Sequence, residues 1–226
     1  MKEVMIQFLQ RQLLRWFDEH GRAFPWREPG ASKYQQILSE ILLQRTRAEA
    51  VARFFPIFFE RFPDWDALAG TTMEELEEVL RPLGLYRHRA KRLFRLGQGL
   101  KRRKGRAPGS AGELADAGLA GLYVTNAFEL FILRGRRPLL DVNMSRVLRR
   151  YFGAGEFVDV RHDAVVQRLA SDVVEVRRCK ELNWAILDFA ATVCRGRAPA
   201  CGGCVLRSMC LFCQGEGDGD DSPRQG

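Results

Sequence analysis

The stretch CRGRAPACGGCVLRSMC, residues 194–210, contains four of the six cysteines of this 226-residue chain. Its thiols follow a C-x6-C-x2-C-x5-C spacing, which brings four soft sulfur ligands within reach of one small centre. Four thiolates suit either a zinc ion or a [4Fe–4S] cluster. A disulfide framework is the third possibility, and the expected cellular location of the protein decides whether disulfides can form.

Cys213 lies just beyond this stretch and allows a second quartet of ligands. Cys201, Cys204, Cys210 and Cys213 form a C-x2-C-x5-C-x2-C pattern, which is nearly symmetric and typical of zinc knuckles. Cys179 is expected to be a small buried apolar residue. Spacing alone therefore leaves zinc and iron–sulfur ligation both open.

The overall composition is that of an ordinary globular protein. Hydrophobic residues make up 46% of the chain and charged residues 28%, and no apolar run is long enough for a membrane helix. The N-terminal segment, 1–22, is amphipathic and carries acidic residues, unlike a secretory signal. We therefore expect a cytoplasmic location, where thiols stay reduced, and this counts against disulfides.

The charge distribution points to a polyanionic partner. The formal net charge is +8, and ten lysines and arginines but no acidic residue lie between Arg87 and Arg106. A solvated helix face normally alternates the signs of its charges. This run therefore predicts a strip that faces phosphates, with Arg102, Arg103 and Lys104 as candidate phosphate contacts.

Helical periodicity dominates the chain. Apolar residues recur at helical spacing, and no stretch shows the sustained alternation of a strand, so we expect an all-α fold. The segment 33–62 predicts two helices hinged near Pro56, and Thr72 with Glu75 predicts a capping box. The acidic segment 214–226 lacks large apolar side chains and predicts a disordered tail.

Several segments, in the same order along the chain, resemble the endonuclease III-like helix–hairpin–helix DNA glycosylase superfamily. Besides the cysteine stretch they are FPWR at 24–27, SEILLQRT at 39–46, LGLYRHRAKRL at 83–93, LLDVNMSRVLRR at 139–150 and LNWAILDFAATVC at 182–194. The Mig-type thymine–guanine mismatch branch and the MutY-like adenine branch are the most similar. The resemblance implies two helical lobes, a six-helix domain with a hairpin at 33–141 and a cluster domain made of 1–32 and 142–213.

The same resemblance implies a [4Fe–4S] cluster held by Cys194, Cys201, Cys204 and Cys210, with Cys213 as an extra thiol. In this superfamily the cluster lies away from the chemistry. It shapes a loop that presents basic side chains to DNA, and the candidates on this loop are Arg195, Arg197 and Arg207.

Three catalytic candidates follow from the resemblance: Asp141, Glu40 and Tyr123. Asp141 precedes a helix and can act as its N-cap, and a fixed carboxylate there can stabilise the positive charge that builds on the deoxyribose C1′. Glu40 corresponds to the acid beside the leaving base, although a lone Glu in such a helix is otherwise a surface residue. Tyr123 stands where bifunctional members carry a lysine, and a gap in the match would bring Thr125 there instead.

Two further sets of residues are implied to hold the DNA. A glycosylase has to rotate its target nucleotide out of the helix, and the resemblance assigns the wedges to Gln44 with Arg45 and to Leu85. Packing in the core is the alternative role for Leu85. Gly118 and Gly121 correspond to hairpin glycines that let backbone N–H groups approach a phosphate, although the usual L-P-G-V-G pattern is missing.

The predicted function is that of a monomeric, nucleoid-associated and monofunctional glycosylase that removes thymine or uracil opposite guanine from double-stranded DNA. The alternatives are an adenine glycosylase acting opposite 8-oxoguanine or guanine, a non-catalytic DNA-binding relative, and a zinc-knuckle binder. The adenine branch usually carries a further C-terminal domain, and the chain ends soon after Cys213, which favours the thymine branch. No membrane partner is expected.

Overall fold

A computed structural model describes residues 1–102, 108–116, 121–155 and 159–215. Within these ranges the chain forms twelve α-helices and three short 3-10 helices, and no β-strand. The α-helices are α1 Lys2–His20, α2 Lys33–Leu43, α3 Ala48–Arg61, α4 Trp65–Gly70, α5 Met73–Leu80, α6 Tyr86–Arg102, α7 Ala111–Asp116, α8 Leu122–Phe131, α9 Val142–Phe152, α10 Ala164–Val174, α11 Cys179–Thr192 and α12 Leu211–Gly215. The predicted all-α fold is therefore confirmed for the described residues.

The chain divides into two compact units, which we call the first and second unit. The first consists of Met1–Arg22 and Arg136–Gly226, and the second of Ala23–Gly135. The sequence placed the domain boundaries after residues 32 and 141, whereas the units divide after Arg22 and Gly135. The segment FPWR therefore belongs with the second unit, and the residues leading to Asp141 belong with the first.

The first unit is built around α9 and α11. Helix α1 packs against α10 and α11, while α9 packs against α10, α11 and α12. Its core contains large apolar side chains from α1, α9, α10, α11 and the segment between α11 and α12, among them Leu9, Leu13, Leu148, Tyr151, Val173, Ile186, Phe189 and Leu206. The end of α1 is tied down by Arg22, whose backbone N–H and Nε each donate to the buried Asp188 carboxylate at 2.9 Å.

The second unit is organised by α2 and α6. Helix α6 packs against α4 and α5, and α2 packs against α3 and α8. Gly97 permits the close approach of α6 to α4, because a Cβ there would lie 2.6 Å from the carbonyl oxygen of Leu68. The buried Tyr34 hydroxyl donates to the Phe62 carbonyl at 3.0 Å, which joins the start of α2 to the end of α3.

The predicted hinge near Pro56 is wrong. Pro56 lies inside α3, which runs without interruption from Ala48 to Arg61. An exposed proline is tolerated in a helix when the carbonyl that loses its partner can face solvent. The break between the two helices comes earlier, where Gln44 ends α2 and Arg45 adopts a left-handed φ of 57°.

Helix caps also differ from expectation. Ser32 and Gln35 form a complete capping box on α2, with Gln35 N donating to Ser32 Oγ at 3.1 Å and Ser32 N to Gln35 Oε1 at 2.8 Å. On α5 the expected box is half formed. Glu75 N donates to Thr72 Oγ1 at 3.2 Å, but the Glu75 carboxylate accepts from Thr71 Oγ1 at 2.7 Å.

The predicted tail starts two residues too early, because Gln214 and Gly215 belong to α12. Residues 216–226 lie outside the described residues. None of the described helices has both the length and the apolar character needed to cross a membrane.

Candidate functional site

A carboxylate and a phenol meet in the second unit. Glu40 lies on α2 with only 2% of its surface exposed, and Tyr123 lies in the first turn of α8, which packs against α2. Tyr123 Oη donates to Glu40 Oε2 at 2.6 Å. The pair holds an acid and a hydroxyl side by side.

The local sequence explains why this carboxylate is buried. Helix α2 is buried on nearly all sides, from Tyr34 to Leu42, so Glu40 has no solvent-facing position to occupy. Burying a carboxylate is costly unless it accepts hydrogen bonds, and the hydroxyl of Tyr123 supplies one. Thr125 lies two positions further along α8, about 200° around the helix, so Tyr123 is the one that reaches Glu40.

Asp141 belongs to the first unit and caps α9. Its Oδ1 accepts hydrogen bonds from the backbone N–H groups of Asn143 at 2.9 Å and Met144 at 2.8 Å. Its Oδ2 accepts from the side-chain amide of Asn143 at 2.7 Å. Burial raises the pKa of Asp141, although these hydrogen bonds and nearby Arg146 act in the opposite direction. The carboxylate is therefore fixed in orientation.

Arg146 supports this arrangement and was missed by the sequence analysis. Its Nη1 donates at 3.1 Å to the side-chain oxygen of Asn143, the residue whose amide holds Asp141. Its Nε donates at 2.9 Å to the carbonyl of Cys194, where the cysteine stretch begins. An arginine three residues after Asn143 was the available signal, since residues i and i+3 are neighbours on the surface of a helix.

Asn183 was also missed, and it fixes the segment that leads to Asp141. Its Oδ1 accepts from the backbone N–H of Leu139 at 2.6 Å, and its Nδ2 donates to the carbonyl of Arg137 at 3.1 Å. A fully buried asparagine in an apolar helix needs such partners. Its presence in LNWAILDFAATVC was the signal that could have indicated this role.

Two loops of the second unit carry the predicted wedge residues. Gln44 and Arg45 lie in the break after α2, and Leu85 lies immediately before α6. Leu85 is 52% exposed and has a left-handed φ of 47°, so it is not a core residue as the alternative would require. Arg92 donates to the Gln44 side-chain oxygen. Arg89, which the sequence analysis assigned only to the basic strip, contacts both loops.

The basic run is less uniform than predicted. Arg89 is buried and Arg92 half-buried, because α6 turns them toward the interior of the second unit. The exposed cations on this helix are Arg87, Lys91, Arg95, Lys101 and Arg102. Arg103 and Lys104 lie outside the described residues.

Only part of the predicted hairpin is described. Gly121 is the N-cap of α8 and has a φ of 129°, a backbone conformation that favours glycine. A Cβ there would meet no atom within 4 Å, so the constraint is conformational rather than steric. Helices α7 and α8 pack against each other. Gly118 lies outside the described residues.

Five thiols line one partly open cavity in the first unit. They belong to Cys194, Cys201, Cys204, Cys210 and Cys213. Most other lining residues are apolar, and the one cationic side chain is Arg150, which donates to Cys194 Sγ at 3.6 Å. Arg195, Arg197 and Arg207 are exposed on the surrounding loop.

The donor set of this cavity fits an iron–sulfur cluster. Burial raises the pKa of the Cys204 thiol to about 11 and also raises that of Cys194, so thiolates in this cavity need a cationic centre to stabilise them. Soft thiolates are the usual ligands of iron–sulfur clusters. Among the described residues, no group of three or more His, Cys, Asp or Glu side chains converges on a point suited to one metal ion.

Comparison with known proteins agrees with this combination of features. The sequence is 32% identical to the thymine-DNA glycosylase of Aeropyrum pernix over 212 residues, which cover 92% of this chain and 95% of that protein. It is also 32% identical to the adenine DNA glycosylase of Mycobacterium tuberculosis over 222 residues, 95% of this chain and 71% of that protein.

The fold and the family agree with these sequence similarities. The structure of a thermostable thymine-DNA glycosylase matches with a TM-score of 0.85 at 26% identity, covering 94% of this chain and 98% of that one. Residues 38–175 match the sequence model of the HhH-GPD superfamily base excision DNA repair protein. The chain therefore belongs to the HhH-GPD superfamily of base excision DNA repair proteins.

Proposed function

We propose that this protein is a monofunctional DNA glycosylase that hydrolyses the N-glycosidic bond of thymine or uracil opposite guanine in double-stranded DNA. The observation that carries the proposal is the 2.6 Å hydrogen bond from Tyr123 Oη to Glu40 Oε2, which joins the two residues expected to meet the excised base. The similarity to the A. pernix thymine-DNA glycosylase along nearly its whole length supports the choice of base.

Asp141 is the proposed electrostatic catalyst. Cleavage of an N-glycosidic bond builds positive charge on C1′ of the deoxyribose, and a carboxylate with a fixed orientation lowers the energy of that state. The hydrogen bonds from Asn143 and Met144 hold Asp141 without reorganisation during the reaction. An ionised Asp141 can also orient the water that attacks C1′.

Glu40 and Tyr123 are proposed to act on the leaving base. Thymine and uracil leave as anions whose charge is shared between N1 and the two exocyclic oxygens, and hydrogen-bond donors near those oxygens stabilise it. In the free protein Tyr123 donates its single hydroxyl proton to Glu40, which sets the position of the hydroxyl, and this proton has to turn from Glu40 to the base oxygen to stabilise the anion. A mispaired thymine also costs less to extrude than a paired one, which adds selectivity without pocket contacts.

The absence of a lysine at position 123 underlies the proposal of monofunctionality. Strand cleavage by β-elimination requires an amine that forms a Schiff base with C1′, and neither Tyr123 nor Thr125 carries one. Borohydride should therefore trap no covalent adduct between protein and DNA.

The thiol cavity is proposed to hold a [4Fe–4S] cluster on Cys194, Cys201, Cys204 and Cys210. When bound, the cluster would cross-link the loop 194–210 through these four cysteines. The chain's own contribution is cationic: Arg195, Arg197 and Arg207 are exposed on that loop and can contact phosphates.

Single-turnover base release from T:G, U:G, A:G and A:8-oxoguanine duplexes of one flanking sequence tests the proposal. We expect release from T:G and U:G, no release by Asp141→Asn, and no strand nick without alkali. Faster release of adenine than of thymine or uracil would show that the protein is an adenine glycosylase. No release from any duplex would identify a non-catalytic DNA-binding protein.

An adenine glycosylase is the second candidate function. The 32% identity to the M. tuberculosis adenine DNA glycosylase favours it, and so does the buried Glu40, because adenine ring nitrogens can accept a proton from an acid as the base leaves. The A:8-oxoguanine duplex in the same series of measurements distinguishes the two functions.

A further inference from the structure

Arg89 connects the two loops that carry the proposed wedge residues. Its Nη2 donates to the carbonyl of Gln44 at 2.8 Å and to Thr46 Oγ1, both in the loop after α2. Its Nη1 donates to the carbonyl of Leu83 at 3.1 Å and to that of Gly84, both in the loop before α6. One guanidinium therefore binds two loops that are separated in sequence by α3, α4 and α5.

Each of these loops contains a residue in an unfavourable conformation. Arg45 has a φ of 57° and Leu85 a φ of 47°, in the left-handed region that non-glycine residues rarely adopt. Such conformations persist only where the surroundings determine them. The hydrogen bonds of Arg89 fall on Gln44 and Gly84, the residues immediately before Arg45 and Leu85.

The environment of Arg89 is poorly suited to a purely stabilising role. Its surface is only 6% exposed, and its partners among the described residues are three carbonyl oxygens and one hydroxyl oxygen, with no carboxylate. Its buried Nε has no hydrogen-bond partner within the described parts of the chain. A buried charge without a counter-ion is expensive, and an apolar side chain of similar size would avoid that cost.

We propose that Arg89 is a positioning residue that holds both wedge loops as one rigid element, so that Gln44 and Leu85 enter the duplex together when the nucleotide is extruded. The inference rests on the proposed function, because it assigns the wedges to a glycosylase. Lysine cannot replace Arg89, since a single ammonium lacks the planar fork that reaches two loops at once.

The first test compares Arg89→Met and Arg89→Lys with a matched control, Arg149→Met. Arg149 is 8% exposed, lies in the first unit, donates to the Ala154 carbonyl at 2.7 Å and pairs with the buried Asp163. Removing Arg149 also takes away a buried arginine and leaves the Asp163 carboxylate unpaired, so the thermal midpoint of Arg149→Met should fall at least as far as that of Arg89→Met. All rates are measured well below the lowest midpoint.

We expect Arg89→Met to lower single-turnover release from T:G by about 100-fold, the usual cost of a small misplacement of a catalytic unit. Arg89→Lys should recover little of this loss, and Arg149→Met should stay within a few-fold of the unsubstituted protein. Equal rates for Arg89→Met and Arg149→Met would overturn the inference and leave Arg89 a purely structural residue.

Nucleotide extrusion provides a readout that does not depend on bond cleavage. With Asp141→Asn as the background, 2-aminopurine placed beside the mismatched thymine brightens when that thymine leaves the stack. Adding Arg89→Met should remove most of this signal, while adding Arg149→Met should retain it. Retained brightening in Arg89→Met would contradict the inference, even if the protein proved inactive on every duplex and the proposed function failed.

A double-mutant cycle with Leu85→Ala tests whether Arg89 acts through the wedge. If it does, the rate lost in Arg89→Met and Leu85→Ala together should be clearly smaller than the product of the two single losses. A loss equal to that product would show that the two residues act independently and would refute the coupling.

Discussion

Asp141 serves two purposes at a single residue. It caps α9 through hydrogen bonds from Asn143 and Met144, which any good N-cap would accept. Burial also raises its pKa, which means that its ionised form is less favourable in the folded protein than in the unfolded chain. A capping residue alone would gain nothing from such burial, so the cost is consistent with the catalytic role proposed for it.

Replacing Asp141 by Asn should separate these two purposes. Base release should fall by at least about 100-fold, because the charge that stabilises C1′ is lost. The amide oxygen of Asn can still accept from Asn143 N and Met144 N, and removing the cost of ionising a buried carboxylate at neutral pH offsets the lost hydrogen bond from the Asn143 side chain. The thermal midpoint at pH 7 should therefore stay equal or rise. A large fall in the midpoint, measured by calorimetry, would contradict this account.

The same raised pKa predicts the acid limb of the pH profile. Asp141 must be ionised to act, so the single-turnover rate should decline as pH falls, with a midpoint above the ordinary pKa of an aspartate. The midpoint lies above the ordinary value, and not below it, because burial raises the pKa of Asp141. A rate that holds constant down to the ordinary aspartate range would indicate that Asp141 is not the group that titrates.

Tyr123→Phe should test the hydroxyl that Glu40 holds. Removing it takes one hydrogen bond from a buried carboxylate, which costs about 1–3 kcal/mol of folding free energy. We expect release of thymine to slow by at least about 10-fold. The control is Thr125→Val, which removes a hydroxyl from the same helix but away from Glu40. Comparable losses in both variants would argue against a special role for Tyr123.

At the scale of elements, α9 and the cysteine-rich segment form one connected system. Arg146 holds Asn143 beside Asp141 and donates to the carbonyl of Cys194, while Arg150, one turn later, donates to Cys194 Sγ. Cys210 Sγ in turn donates to the carbonyl of Arg150 at 3.6 Å. The helix that begins at the proposed catalytic carboxylate therefore ends at the thiol cavity.

The five thiols allow a direct test of which four hold a cluster. The purified protein should contain about four irons and absorb as a brown iron–sulfur protein. Cys213→Ser should keep this iron, whereas Cys194→Ser and Cys210→Ser should lose it. Iron analysis and visible absorption after anaerobic purification are the measurements. Iron loss in Cys213→Ser but not in Cys194→Ser would assign the quartet to Cys201, Cys204, Cys210 and Cys213.

At the scale of the whole molecule, positive charge is the feature that matters for DNA. The net charge of +8 is not spread evenly, because several exposed cations are already paired with acids while those of α6 are concentrated on one helix. Exposed ion pairs contribute little to long-range attraction, since their charges largely cancel. Binding to undamaged duplex should therefore depend mainly on the unpaired cations.

Salt dependence should reveal this difference. For each phosphate contact, log K should fall with log salt by a slope of about −0.9. Replacing Arg102, Arg103 and Lys104 by Ala should flatten the slope. The control replaces Lys2, Arg161 and Arg178 by Ala. This variant loses the same amount of charge, but its three cations lie in exposed ion pairs. Equal slopes in the two triple variants, measured by fluorescence anisotropy, would exclude a phosphate-facing role for the basic run.

The sequence alone determined what depends on local pattern. Periodicity predicted the helices, because the 3.6-residue repeat is written along each segment, and Asp141 before VNMSRVLRR predicted its cap for the same reason. The spacing of the cysteines predicted a shared centre, and order along the chain identified the superfamily. Pro56 misled the prediction because its effect depends on exposure, which a sequence does not state.

Tertiary structure decided everything that depends on which helices pack together. Glu40 and Tyr123 are 83 residues apart, and only the packing of α2 on α8 brings them to 2.6 Å. Arg89 belongs by sequence to a basic run, yet its position on α6 turns it inward onto two distant loops. A fifth thiol likewise reaches the cavity through the turn of α12. The chemistry of each side chain can be read from the sequence. Which side chains come into contact depends on how the apolar core is buried, and that involves the whole chain at once.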